Sequence, residues 1–178
     1  MHSRRFAVAL VTALLACCPT LTRAEVPSRV FGAAWEQADS MTMLVSELED
    51  WLDTRAAWPR RGDAPDVRLV SAWQGAARQG KTATFQRGRL RGLYDSERSE
   101  ILLVRPWDPR EAGDVAVLLH ELVHHRQAPH YWYCLAAQEL PAYRLQEAWL
   151  AEYGASLEVN WVGVILKSGC TPKDIHPD

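Results

Sequence analysis

The sequence predicts a mostly helical α+β domain with a small β-hairpin or sheet, and three features lead there. A content of 48% hydrophobic and 24% charged residues over 178 positions suffices for one compact domain with a core. It excludes disorder and low-complexity scaffolds. After Pro106 the apolar residues recur at helical spacing for most of the remaining chain. Before it, the runs 91–94 and 101–104 flank the polar residues 95–99, which reads as a hairpin with a longer loop.

Taken in order, residues 1–24 read as a signal peptide. Residues 2–5 give a positive n-region, 6–16 an apolar h-region too short to span a bilayer, and Thr22, Arg23 and Ala24 a small-residue cleavage site. The expected location is secreted or periplasmic, with no transmembrane span in the mature form. Leu14-Leu15-Ala16-Cys17 also resembles a bacterial lipobox, and a lipid anchor at Cys17 would instead give a membrane-attached lipoprotein. Residues 25–178 then form a single domain. Removing the leader leaves 154 residues and moves the net charge from −2 to −5. No basic excess remains for a nucleic-acid partner.

Trp35, Met41, Leu44, Val45, Leu48, Trp51 and Leu52 recur at helical spacing, predicting an amphipathic helix over 30–52 that packs on the core. Residues 58–65 form a breaker-rich loop, 66–71 a short strand, and 74–82 give no assignment. Helices are expected at 111–127, 138–153 and 157–167. Asp108-Pro109-Arg110-Glu111 has capping-box spacing with Pro109 at the first helical position, and Asp114 is a second candidate cap. Cys134 and Cys170 are an even pair in an oxidising compartment, so a disulfide is expected. It would close about 35 residues and contribute roughly 3–4 kcal/mol in the chain-entropy model. Two free thiols serving a metal fit less well, because neither has a neighbouring ligand at finger spacing.

The chemistry lies in Leu118-Leu119-His120-Glu121-Leu122-Val123-His124-His125-Arg126-Gln127. On a helix, His120 and His124 stand one turn apart on one face and can aim imidazole nitrogens at one zinc ion. Glu121 is rotated by about 100°, beside the metal rather than on it, where it can act as general base toward a zinc-activated water. Two residues compete for the third ligand. His130 lies at the metzincin interval, but Gln127 replaces the metzincin glycine and no methionine lies downstream for a Met-turn. Glu139 opens a predicted helix on which Ala142, on the same face, permits close approach to the His-Glu helix. The strand at 101–104 could serve as an edge that holds an extended peptide.

His-Glu-Leu-Val-His-His-Arg-Gln, followed by Cys134 and then Glu139-x-x-Ala142-Tyr143-x-x-Gln146, resembles small secreted bacterial zincin-like proteins of the gluzincin type. The resemblance covers about residues 90–170, and the interval from His124 to Glu139 is shorter than in large gluzincins. It implies a minimal zincin-like domain with zinc on His120, His124 and Glu139, Glu121 as base, and a Cys134–Cys170 staple. The expected function is a secreted zinc metallopeptidase acting on peptide or protein substrates. The alternative is an inactive zinc-binding envelope protein acting as a binding or structural module. His125 is expected to face away from the zinc and be exposed, Tyr131, Trp132 and Tyr133 to pack, and Glu147 and Glu152 to be surface charges. One of the three aromatics, Tyr143 or His130 would supply the oxyanion donor. The eight tryptophans, spread from Trp35 to Trp161, suit core and cleft packing better than one binding patch.

Overall fold

The computed structural model describes residues 34–79 and 90–170. The leader, Cys17 and the start of the helix predicted from residue 30 lie outside the described residues. The fold is α+β and mostly helical, with one three-stranded sheet. None of the described helices is long and apolar enough to cross a membrane.

The predicted first helix is divided. A 3-10 turn, Ala34–Gln37, precedes α1, Met41–Asp53, because the Ser40 hydroxyl accepts the Met43 N–H at 3.2 Å and fixes the helix start there. Leu44, Leu48 and Leu52 form its buried stripe. Strand β1, Asp66–Val70, is followed by α2, Ala72–Gln79, most of which falls in the unassigned stretch 74–82. Strands β2, Gly92–Asp95, and β3, Glu100–Val104, form the predicted hairpin. β1 then adds parallel to the other side of β3, giving the order β1-β3-β2. The expectation that 101–104 is an edge strand is thus corrected: β3 is central and buried throughout, and β2 is the edge that faces the long helix.

That helix, α3, Ala112–Gln127, is the axis of the molecule. Val115, Leu118, Leu119 and Leu122 meet Ile101 and Leu103 of β3, the α1 stripe, and Ala142, Trp149 and Leu150 of α4. Neither predicted cap starts it. Glu111 is the N-cap residue without a side-chain cap bond. Asp108 instead closes a turn by accepting the Arg110 N–H at 2.9 Å, and Asp114, inside the first turn, accepts the Asp108 N–H at 2.8 Å. Helix α4, Glu139–Glu152, follows a 3-10 turn, Leu135–Gln138, and ends before Gly154, whose φ of 69° suits a residue without Cβ. Helix α5 is Trp161–Ser168. The Cys134–Cys170 disulfide is present and ties the segment leading into α4 to the end of α5.

The tryptophans serve packing in the main. Trp35 and Trp149 pack with Tyr153, Trp58 packs against Trp132, and Trp107 donates to the Asp114 carbonyl at 2.7 Å. The loop before β1 is pinned by Arg61, which grips Asp63 with two hydrogen bonds of 3.0 and 2.7 Å. The Arg61 guanidinium holds the Asp63 carboxyl at about 2, well below its ordinary 3.8. A lowered carboxyl pKa stabilises the fold above the ordinary value, and that stabilisation is lost as pH falls toward 2. Asp63→Asn should therefore lower the melting temperature slightly at pH 7 and by less at pH 2, the effect being small because Asp63 is exposed. An equal loss at both pH values would contradict this.

Candidate metal centre

Burial of both flanks of α3 sets the site. His120 is buried, His124 half-buried, and α4 brings the half-buried Glu139 over them, with Ala142 fully buried at the helix contact. The two Nε2 atoms lie 3.0 Å apart, and the Glu139 carboxylate oxygens lie 3.4 Å from His120 Nε2 and 3.6 Å from His124 Nε2. Tetrahedral zinc with bonds of about 2.0–2.1 Å places its ligand atoms about 3.3 Å apart. The donor set therefore fits zinc in both chemistry and spacing.

Two glutamines orient the rings. The His120 Nδ1 lies 3.1 Å from Gln146 Oε1, and the His124 Nδ1 lies 2.9 Å from Gln127 Oε1. An amide oxygen only accepts, so each Nδ1 carries the proton and donates, which leaves both Nε2 lone pairs turned toward the carboxylate. Three such groups so close together share a cation: a metal ion or, in the metal-free chain, a proton that His120 Nε2 donates to Glu139. Gln127 also donates from its Nε2 to the Gln138 carbonyl at 3.2 Å, the residue before Glu139. One fully buried side chain thereby links the second ligand to the third. Gln127→Ala should weaken zinc binding by about 10–100-fold, read from competition with a chromophoric chelator. Unchanged affinity would remove Gln127 from that role.

Electrostatics of the metal-free chain follow the same geometry. Burial disfavours charge on His120, but its Glu139 hydrogen bond and the negative charges of Glu121 and Glu139 outweigh this and hold its pKa above 6.5. Burial and the neighbouring His120 push His124 down to about 4. Glu121 is 6% exposed, and burial pushes its carboxyl up to about 7. Burial alone would raise Glu139 as well, yet its hydrogen bond to His120 and the two histidine charges keep it below 4.5. The Tyr143 ring packs on the His120 ring at 4.5 Å between centroids, and burial raises its hydroxyl pKa above 10.

The structure thus brings together His120, His124 and Glu139, with Glu121 near enough to feel the charges of His120 and Glu139, while His130 is exposed and outside the cluster. Cys134 and Cys170 pair with each other and not with a metal. His125 does face away from the ligand side, but the expectation of exposure is corrected: it is 1% exposed, since β2 and the loop at 59–65 cover it. Its Nε2 donates to the Asp63 carbonyl at 2.9 Å and its Nδ1 accepts from the Tyr94 hydroxyl at 3.0 Å. Arg126 is buried too, bound to Glu49, Asp53 and the Trp58 carbonyl, which fixes α3 against α1. Gln127, Gln146, His125 and Arg126 received no role from the sequence reading. For His125, Arg126 and Gln127 the signal is an unbroken polar run after His124, on a helix enclosed by the sheet, α1 and α4, whereas Gln146 stands on α4 in the pattern Glu139-x-x-Ala142-Tyr143-x-x-Gln146.

One family model, described as a domain of unknown function (DUF6647), matches residues 37–178. No curated protein and no solved structure matches the chain.

Proposed function

The chain belongs to the DUF6647 family, whose description assigns no activity, and on the strength of the site we propose that it is a secreted zinc metallopeptidase hydrolysing peptide bonds. The observation that carries this is the convergence of His120, His124 and Glu139, with the buried Glu121 near enough to feel the charges of His120 and Glu139. His120 and His124 would hold the ion through Nε2 and Glu139 through its carboxylate. Zinc bound there would supply Lewis acidity, lowering the pKa of water and polarising the scissile carbonyl.

The remaining steps belong to the chain. Glu121 takes the proton of the attacking water on its carboxylate and delivers it to the departing amine nitrogen. Gln127 and Gln146 keep the histidine protons on Nδ1, away from the ion. Among the candidates for the oxyanion donor, Tyr131 and Tyr133, expected to pack, are exposed, as is His130, and Trp132 donates its Nε1–H to the Gln127 carbonyl at 3.3 Å, whereas Tyr143 packs on a ligand ring, so its hydroxyl is assigned that part. Edge strand β2 lies against the same helix, where an extended substrate would add main-chain hydrogen bonds. The disulfide supports export, since such bonds persist in oxidising compartments.

Purified mature protein should carry about one zinc per chain by elemental analysis. Its hydrolysis of an unfolded protein substrate should stop with a chelator and return with zinc. A preparation that refuses added zinc would overturn the proposal. Zinc without any turnover would instead leave a metal-bearing binding or structural protein.

A further inference from the structure

The stripe Val117, Glu121 and His125 on α3 faces β2, and two alternate residues of that strand meet it. Gly92 lies so close that a Cβ there would stand 2.5 Å from Glu121 Oε1, 2.9 Å from Glu121 Cγ and 2.8 Å from Val117 Cγ1. Those are distances at which something must shift. Tyr94, two residues on, packs its ring on His125 at 5.4 Å between centroids. Its hydroxyl donates to His125 Nδ1, and Arg61 donates to that hydroxyl at 3.5 Å. The backbone N–H of Tyr94 also favours the charged form of Glu121.

We infer that β2 positions the general base: the bare backbone of Gly92 sets where the Glu121 carboxylate stands, and Tyr94, locked to His125, holds the strand at that distance. The inference rests on the reading of Glu121 as base. Gly92 is thus needed at a half-buried strand position, where a glycine otherwise weakens a strand, because close approach demands it.

The test is Gly92→Ala in the full mature chain. A methyl group should displace the carboxylate and lower kcat about a hundredfold, with KM and zinc content unchanged. Val117 is the methyl group's other neighbour, and shortening it leaves the Glu121 contact in place, so Gly92→Ala should lower kcat about as much in a Val117→Ala background. The same pair keeps the test open if Gly92→Ala alone folds poorly. Wild-type kcat in Gly92→Ala, or a loss that disappears in the Val117→Ala background, would overturn the inference. In metal-free protein, the carboxyl-carbon NMR resonance of Glu121 should move on Gly92→Ala, and an unmoved resonance would overturn it as well. A chain that refuses zinc while that resonance still moves would remove the proposed function and leave the positioning intact.

Discussion

Replacing Glu121 with glutamine is expected to lower turnover by about a hundred- to ten-thousand-fold while leaving zinc bound. Glutamine keeps the size and much of the polarity of the side chain but cannot accept a proton. The carboxylate is 6% exposed and pressed against Gly92, so a near-isosteric amide has little room to move elsewhere. The three ligand atoms are untouched. Steady-state kinetics with zinc content measured on the same sample separate the two effects. Retained turnover would show that another group takes the proton, and lost zinc would mean that Glu121 holds the ion rather than the water.

Glu139→Ala should have the opposite pattern, abolishing stable zinc binding and, with it, activity. Zinc that binds only the folded chain stabilises it by about 2.7 kcal/mol at a free concentration of 100 times Kd. Melting curves with and without zinc should separate in the wild type and coincide in Glu139→Ala. His130→Ala should behave as wild type, since His130 is exposed and outside the cluster. Zinc-dependent stabilisation that survives Glu139→Ala and disappears in His130→Ala would reverse the choice of third ligand.

Much of the site was legible because its signals are local. His120 and His124 are four apart, Glu121 follows the first, and Glu139 announces itself through Ala142 on the same helical face. The hairpin, α4 and the pairing of the cysteines were equally readable. What stayed hidden depends on elements distant in sequence. Whether β3 is an edge or the centre depends on β1, more than thirty positions upstream. The burial of His125 depends on Tyr94 and the Asp63 carbonyl, and that of Arg126 on Glu49 of α1. Helical periodicity assigns one face of α3 to the core, but this helix is enclosed by the sheet, α1 and α4 together. The roles of Gln127 and Gln146 come from hydrogen-bond direction, which spacing alone does not encode. The break before α1 was the exception: Ser40 ahead of the apolar stripe was a visible start signal.

The proposed chemistry requires one zinc ion held by His120, His124 and Glu139. Anomalous diffraction on either side of the zinc absorption edge, from crystals of the mature protein grown with equimolar zinc, tests it most directly. A single strong peak is expected, bonded to both histidine Nε2 atoms and the Glu139 carboxylate, with Glu121 beside it and unbonded. A peak on other residues, or none between α3 and α4, would contradict it.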